Sequence, residues 1–302
     1  MLVIGLIGGD IFPPSAQKIY STNEGSVAIV RTEYHFKVTC PGLNLEKLGI
    51  PTEFYIDEDG EFCRYDGKNH MATYGTGFFI GESKNIVTNR HVAHPWEATE
   101  YSTSSGPVTI IELAEIVYRR ELTDVYHYYS SAILPYISQI KVEGYIDNTI
   151  VIPNGKYIDS SNLYACHELV CSSKEEDIAI FQVRNSMVTS AVTSIPIKKI
   201  SDTPIKVGAK IYTLGFPLGL SLQNYTNVIQ ANFAAGEISR NNDNVKLGFT
   251  APSNHGASGS PVFDNRGNLI GIVNSGVEAT DGFNFAIKAQ YLKALIEKNN
   301  IN

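Results

Sequence analysis

Short runs of β-branched and aromatic residues, separated by turns rich in Gly and Asn, recur through the last third of the chain. Many short strands at such close spacing are typical of a β-barrel or a β-sandwich. A final apolar stripe on residues 288–301 predicts a closing amphipathic helix. The predicted strands are Lys210–Leu214, Val228–Phe233, Val245–Phe249, Ser260–Phe263, Leu269–Val273 and Phe283–Ile287.

The first half of the chain carries the same β signal, with two interruptions. Strand patterns occur at residues 25–38, 149–152, 163–166 and 178–183, and residues 74–93 have the pattern of a β-hairpin. Residues 40–72 are polar and rich in turn residues, which predicts a loop or a small hairpin insertion. Within residues 100–150, apolar residues recur at helical spacing between 107 and 140, so we predict one or two inserted helices there.

The composition argues against some classes of partner. The formal net charge is −7, and no run of basic residues occurs, so nucleic acid and anionic membranes are not expected as partners. The four cysteines, Cys40, Cys63, Cys166 and Cys171, contain no C-x-x-C pair and so lack the spacing of a zinc ribbon. Two local disulfides and buried free thiols are equally compatible with this spacing.

The N-terminal stretch Leu2–Gly9 is apolar but too short to span a bilayer, which takes roughly 20 residues. It also lacks the positive residues that open a secretory signal. A trimmed or atypical leader and an ordinary first strand or arm are both open interpretations. The compartment is left unassigned, with a slight preference for an extracytoplasmic one (secreted, periplasmic or membrane-tethered).

Ser258 is the candidate nucleophile, because small residues flank it in the segment Asn254-His-Gly-Ala-Ser-Gly-Ser-Pro. Such residues allow a tight turn that exposes the hydroxyl and lets the amides of Gly256 and Ser258 converge on one point, as an oxyanion hole requires. A Gly-Ser-rich hairpin loop without chemistry is the alternative interpretation.

A serine nucleophile needs a base and a carboxylate that orients the base. His91 ends an apolar strand and is the candidate base, and Asp177 opens a buried strand and is the candidate carboxylate. Taken alone, each could be an ordinary core or strand-end residue. Together the three stand in the chain order His, Asp, Ser, which favours nucleophilic catalysis without a metal or a cofactor.

At these residues the chain resembles the trypsin-like, chymotrypsin-fold serine peptidases, and within them the bacterial high-temperature-requirement (Deg-type) branch. The matching motifs are Thr73-Tyr-Gly-Thr-Gly-Phe-Phe-Ile, Ile86-Val-Thr-Asn-Arg-His-Val-Ala, Glu176-Asp-Ile-Ala-Ile-Phe-Gln-Val, Gly256-Ala-Ser-Gly-Ser-Pro-Val-Phe-Asp and Gly271-Ile-Val-Asn-Ser-Gly. The resemblance implies a serine endopeptidase acting on protein or peptide substrates through a His91, Asp177 and Ser258 triad.

The fold that the resemblance implies is all-β: two packed six-stranded antiparallel β-barrels with the site between them. We expect an arm or leader remnant at 1–22, and a first barrel at 23–190 with insertions at 40–72 and 100–150. A second barrel and the C-terminal helix follow at 191–302. The insertion at 100–150 is longer than the branch normally carries at this place, and we hypothesise that it covers the cleft or mediates self-association as a homo-oligomer.

Two departures from the family pattern change what is expected of this chain. Ala257 stands before the nucleophile where digestive-type enzymes carry an Asp that pairs with a newly freed N-terminus, so activation by that route is not expected. We also expect no PDZ-like module after the terminal helix, and therefore no regulation through such a module.

The resemblance also suggests walls for the substrate pocket, formed by Pro252, Ser253, Asn254, His255, Asn274, Ser275, Gly276 and Gly282. The base of the pocket should lie near Pro252 and Ser253, where basic-specific relatives carry a carboxylate, and Val273 stands where acid-specific relatives place a histidine. We therefore expect a preference for uncharged side chains.

Two other functions fit the sequence less well. An α/β-hydrolase esterase would need Gly at position 260, where Ser260 stands, and would place its nucleophile ahead of its acid and its His. A non-catalytic binding or scaffold protein on the same fold would usually show a substituted triad, and no substitution is visible.

Overall fold

A computed structural model of the chain describes residues 13–82, 84–103, 106–124, 133–184, 192–219, 228–241, 243–276 and 283–302, with only the backbone described at 99–103 and 275–276. The strands are β1 (Val27–Thr39), β2 (Glu53–Ile56), β3 (Phe62–Arg64), β4 (Met71–Ile80), β5 (Asn85–Thr88), β6 (Thr99–Thr103), β7 (Gly106–Thr109), β8 (Lys141–Pro153), β9 (Tyr164–Cys171), β10 (Ala179–Val183), β11 (Lys210–Gly215), β12 (Asn232–Arg240), β13 (Lys246–Phe249), β14 (Pro261–Asp264), β15 (Leu269–Gly276) and β16 (Asn284–Lys288). The α-helices are α1 (Ala16–Asn23), α2 (Arg90–Ala93), α3 (Ile110–Asp124) and α4 (Ala289–Lys298).

The first barrel closes from six antiparallel strands in the order β1-β4-β5-β10-β9-β8, with β8 returning to pair with β1. The first part of β1 pairs with β4, where Val27 lies opposite Phe78. From Phe36 onward β2 takes the place of β4 beside β1. The long strands β1 and β8 therefore continue past the barrel wall and carry additional structure.

That additional structure is one accessory unit, formed by residues of both predicted insertions (40–72 and 100–150). Helix α3 packs against β2 and β3, and the shared core buries Phe36, Phe54, Tyr118 and Leu122. The Tyr118 hydroxyl donates 2.8 Å to the Pro51 carbonyl, which joins the two insertions directly. Most apolar side chains of α3 are buried inside this unit, and the hypothesis that the insertion covers the cleft or mediates self-association stays a prediction.

The inserted segment is only partly helical, as expected. Before α3 the chain forms the hairpin of β6 and β7, and after it a short 3₁₀ helix spans Leu134–Gln139. Strand β8 begins at Lys141, well before the predicted strand at 149–152, because its first half pairs with the projecting end of β1. Residues 141–150, which we had placed in the insertion, thus belong to a barrel strand.

The second barrel closes in the order β11-β12-β13-β16-β15-β14, with Ile211 of β11 opposite Asp264 of β14. Its strands match the predicted pattern except at Val228–Phe233, because β12 begins only at Asn232. Residues 228–231 lie instead against the first barrel: Val228 bridges to Tyr157, and the Ala231 amide donates to the Asn154 side chain. Ile229 and Ala231 are buried without joining a strand ladder, so their apolar pattern resembles that of a strand.

The two six-stranded barrels are packed face to face, since one apolar cluster contains residues of both, such as Ile29 and Phe78 of the first and Leu214 and Ile272 of the second. Helix α4 buries Leu292 and Ile296 against the same cluster, as its apolar stripe predicted. Within the predicted arm at 1–22, helix α1 begins after its N-cap Ser15 and buries Ile19. Residues 1–12 and the predicted barrel boundary at 190–191 lie outside the described residues.

The four cysteines are free thiols, so neither local disulfide is present. Burial raises the pKa of the Cys166 and Cys171 thiols to about 12. Among the described helices, none has both the length and the apolar character needed to cross a bilayer.

Candidate active site

His91 and Asp177 form a hydrogen-bonded pair at the open end of the first barrel. His91 lies on the short helix α2, directly after β5, and its Nδ1 is 2.8 Å from Asp177 Oδ2. The main-chain amide of His91 donates to Asp177 Oδ1 at 2.9 Å. Asp177 therefore holds His91 by two contacts, one to the ring and one to the main chain, and a carboxylate acceptor at Nδ1 favours the tautomer with the proton on that nitrogen.

Asp177 is held in a conformation that few residues other than glycine adopt. It has a φ of +45° and a buried side chain that is 6% exposed. Its carbonyl accepts hydrogen bonds from the Asn89 side chain at 3.0 Å and from the Arg90 amide at 3.2 Å. Backbone strain of this kind costs about 1–3 kcal/mol and persists where surrounding contacts enforce it, often at functional sites.

Arg90 fixes helix α2 to the loop before Asp177. Its guanidinium makes two hydrogen bonds of 2.7 Å to the Glu97 carboxylate and donates 2.8 Å to the Ser172 carbonyl. The Arg90 hydrogen bond holds the pKa of Glu97 below its ordinary value. The residue next to the candidate base is thus a structural anchor.

Ser258 lies on the loop between β13 and β14 of the second barrel, and its neighbouring glycines are required by geometry. Gly256 has a φ of +88°, and a Cβ there would lie 2.6 Å from the Gly219 nitrogen and the Phe216 oxygen. Gly259 has a φ of +90°, and a Cβ there would lie 1.9 Å from the Thr76 oxygen. Only glycine allows the loop this conformation and this close approach to strand β4.

The predicted oxyanion donors are the amides of Gly256 and Ser258. The Leu218 amide donates a 2.5 Å hydrogen bond to the His255 carbonyl. This contact fixes the peptide between His255 and Gly256, and because the peptide is trans, the Gly256 N–H points away from Leu218. Within the described part of the chain, neither amide donates to a protein acceptor. Both donors are therefore available to a ligand in this part of the structure.

Asn274 connects the candidate nucleophile to the candidate carboxylate. Its side-chain amide donates to Asp177 Oδ2, and its main-chain carbonyl accepts a 3.1 Å hydrogen bond from Ser258 Oγ. The family resemblance implied a place for Asn274 in the wall of the substrate pocket. The residue is instead 7% exposed, and its side chain contacts Asp177 of the first barrel.

A cleft of ≈ 410 Å³ separates the barrels, and His91 of the first and Ser258 of the second both line it. Its remaining lining residues are Ala72, Thr73, Tyr74, Val92, Leu218, Gly219, His255 and Gly256. Of the predicted pocket residues that the structure describes, His255 alone lines this cleft. Pro252, Ser253 and Asn254 lie earlier on the same loop, and Ser275 and Gly276 continue β15. Gly282 lies outside the described residues.

Sequence reasoning missed Tyr74 and Leu218 as lining residues and Thr76 as a support of the Ser258 loop. The Thr76 amide donates 2.8 Å to the Ser258 carbonyl across the barrel interface. Thr76 and Tyr74 belong to the Gly-Thr-Gly segment already singled out as a motif. The roles of Tyr74 and Thr76 could not be predicted, because the sequence does not show that this motif packs against the Ser258 loop.

Two closed six-stranded antiparallel barrels, packed with a cleft between them, define a protein of the chymotrypsin-like fold. A family model described as the trypsin-like peptidase domain matches residues 75–272, from β4 to β15. The chain therefore belongs to the trypsin-like peptidase domain family. No curated protein matches the chain.

Proposed function

We propose that this protein is a serine endopeptidase in which Ser258 is the nucleophile, His91 the general base and Asp177 the residue that orients the base. The observation that carries the proposal is the 2.8 Å contact between His91 Nδ1 and Asp177 Oδ2 beside a cleft that Ser258 also lines. Membership of a peptidase family supports proteins or peptides as substrates. Within the family we assign the chain to the Deg-type branch, on the motifs around His91, Asp177 and Ser258.

The first chemical step begins with a rotation of the Ser258 hydroxyl. This hydroxyl donates to the Asn274 carbonyl at 3.1 Å, so it must turn toward His91 before the imidazole can take its proton. The hydrogen bond between a nucleophile and its general base is often long or poorly aligned before substrate binds. Ser258 Oγ then attacks the scissile carbonyl, and the protonated His91 gives the same proton to the leaving amine.

Asp177 supports the positive charge that His91 carries between these two transfers. One of its oxygens accepts from the ring and the other from the His91 amide, so the ring cannot turn without breaking contacts. The amides of Gly256 and Ser258 would meet the oxyanion of the tetrahedral intermediate. Removing one oxyanion donor costs roughly 3–4 kcal/mol of transition-state stabilisation in related chemistry.

The test combines active-site labelling with turnover. A fluorophosphonate probe should label the wild-type chain at Ser258 and leave Ser258→Ala unlabelled. The wild-type chain should hydrolyse casein, whereas His91→Ala, Asp177→Asn and Ser258→Ala should each lose several orders of magnitude in turnover with the fold intact by circular dichroism.

Each of the other outcomes has a definite meaning. Activity retained in Ser258→Ala would refute the proposal. An unlabelled and inactive wild-type chain would favour the non-catalytic scaffold on the same fold. Turnover of esters without turnover of casein would make the protein an esterase.

A further inference from the structure

A second cluster of chemically active side chains lies beside the proposed catalytic centre. It consists of His94, at the C-terminal end of helix α2, and of Glu168 and Cys171 on strand β9. One ligand atom from each of the three lies within 4.8 Å of the others. The proposed peptidase mechanism uses none of these three residues.

A β-bulge in β9 brings Glu168 and Cys171 to the same side of the sheet. Residues three apart on a regular strand point to opposite faces. Here Ile180 of β10 pairs with Val170, whereas the next residue, Phe181, pairs with Glu168, so Leu169 is an extra residue without a partner in the ladder. The extra residue shifts the alternation by one position, and Glu168 and Cys171 therefore both face His94.

The third group, His94, is oriented by two contacts. Its ring stacks on Trp96 with the ring centroids 5.4 Å apart and the planes at 17°. Its Nε2 lies 2.8 Å from Glu168 Oε2. A ring fixed in this way presents a nitrogen to the other two groups without a further loss of rotamer freedom.

The spacing of the three groups fits a tetrahedral metal ion. Ligands on zinc lie about 3.3 Å apart for a nitrogen and an oxygen, and about 3.5 Å apart when one of them is sulfur, from ordinary zinc–ligand bond lengths. The present separations, all within 4.8 Å, reach these values through small rotations of the side chains. Three protein ligands leave the fourth position to a water molecule.

The donor set decides which cation fits. Imidazole, carboxylate and thiolate together suit zinc, whereas calcium and magnesium require oxygen ligands. We propose that His94, Glu168 and Cys171 bind a zinc ion outside the proposed catalytic centre. Binding displaces the thiol proton of Cys171 to solvent and takes His94 as a neutral imidazole.

The position of the site gives the ion a structural consequence. His94 follows His91 by three residues, and Cys171 lies opposite Ala179, two residues after Asp177. A zinc ion would thus link helix α2, which carries His91, to strand β9, which lies beside the Asp177 segment. Metal binding itself does not depend on the proposed peptidase activity.

The experiment titrates zinc chloride into the chelator-treated full chain and follows binding by calorimetry. We expect one equivalent to bind, and Cys171→Ser and His94→Gln each to weaken the affinity by about 100-fold or more, since even supporting residues cost 10–100-fold. Cobalt(II) should give a thiolate charge-transfer absorption band that Cys171→Ser abolishes. The thermal unfolding midpoint of the wild-type chain should rise with zinc, because the ion binds the folded state.

Matched variants locate the ion. Cys63→Ser removes a thiol elsewhere, and His167→Gln removes the histidine next to Glu168 on the strand, so both should bind zinc as the wild type does. His91→Ala and Ser258→Ala should also bind normally, which separates this site from capture of zinc by the proposed catalytic centre. Should Cys171→Ser fail to fold, the His94→Gln and Glu168→Gln variants decide, because both side chains are partly exposed. Unchanged zinc affinity in the ligand variants, or a cobalt complex without the thiolate band, would overturn the proposal.

Discussion

The side-chain hydroxyl of Thr76 donates a 2.7 Å hydrogen bond to the main-chain carbonyl of Gly256. Thr76 belongs to strand β4 of the first barrel, whereas Gly256 belongs to the Ser258 loop of the second. The same hydroxyl accepts a 3.0 Å hydrogen bond from the Phe216 amide, and Thr76 is fully buried. One side chain therefore joins two segments of the second barrel to the first, next to the proposed oxyanion donors.

Replacing this hydroxyl should affect both stability and turnover. Thr76→Val keeps the shape but leaves the part-buried Gly256 carbonyl and the buried Phe216 amide without their partner, at a cost of up to about 1–3 kcal/mol for each unsatisfied group. We expect a lower free energy of unfolding in urea and a lower kcat, because the loop that carries the oxyanion donors loses its support. Thr76→Ser retains the hydroxyl and should stay close to wild type in kcat. Equal kcat values for the Val and Ser variants would show that the hydroxyl has no part in positioning the loop.

Asn274 should matter through Asp177 and not through substrate specificity. Asn274→Ala removes a donor to the buried carboxylate, and a hydrogen bond to a charged group contributes about 1.5–3 kcal/mol. We expect kcat on a peptide substrate to fall by roughly 10- to 100-fold with little change in KM. The order of preference among substrates in a peptide library should be unchanged. A changed order of substrate preference with an unchanged kcat would show that Asn274 acts in the wall of the substrate pocket instead.

The Arg90–Glu97 pair predicts a pH-dependent part of the stability. The Arg90 guanidinium lowers the pKa of Glu97 from its ordinary value of 4.5, so below that pH the unfolded state binds more protons than the folded state does. The stabilisation is complete above pH 4.5 and is lost as the pH falls through the lowered folded value. In urea unfolding series, the stability difference between wild type and Glu97→Gln should shrink as the pH falls below 4.5. The exposed Glu58→Gln variant is the control, and a difference that does not vary with pH would contradict the assignment.

Much of this arrangement could be predicted from the sequence because it depends on local patterns. The order of His91, Asp177 and Ser258 favoured a serine nucleophile, and the motifs around them carried the resemblance that implied two packed barrels, which the structure has. The Thr76–Gly256 contact could not be predicted, because it joins residues 180 positions apart and depends on how the barrels pack. Nor could the bulge at Leu169, because it is defined by the register of β9 against β10 and not by the residues of β9.

The accessory unit was the largest difference from expectation. Its core joins Phe54 of the first insertion to Tyr118 of the second, and neither segment shows in its own sequence which partner covers its apolar side chains. Each insertion alone resembles a surface addition. Only the pairing of the long ends of β1 and β8 brings the two together.

This packing predicts that the accessory unit contributes to stability. Tyr118 is 1% exposed, and its ring lies 5.2 Å from that of Phe54. Tyr118→Ala should lower the free energy of unfolding by about 3–5 kcal/mol, as is usual when a buried aromatic side chain is truncated. Tyr118→Phe should cost only about 1 kcal/mol, for the hydrogen bond to Pro51. Equal stability of the Ala variant and the wild type would show that the unit does not share a cooperative core with the barrel.

The last prediction concerns the residue on the amino side of the cut. The resemblance to trypsin-like peptidases implies that Pro252 and Ser253 form the base of the pocket, and neither is charged. By the same resemblance Val273, which is 1% exposed, stands where acid-specific relatives have a histidine. A Lys or Arg side chain buried there would lose its hydration without gaining a partner, at a cost of several kcal/mol. Digestion of a peptide library should therefore give cuts after medium aliphatic or aromatic residues. Discrimination among them should be loose, because each matched methylene contributes about 0.8 kcal/mol.

A single substitution makes this prediction sharper. Ser253→Asp places a carboxylate at the proposed base and should raise kcat/KM for Lys and Arg peptides relative to Phe peptides, whereas Ser253→Asn, of the same size but uncharged, should not. Because the two variants differ only in charge, a gain confined to Asp would assign the base of the pocket to Ser253. Cleavage after Lys or Arg by the wild-type chain, or the same specificity in both variants, would mean that the pocket is built from other residues, and the roles of His91, Asp177 and Ser258 would be unaffected.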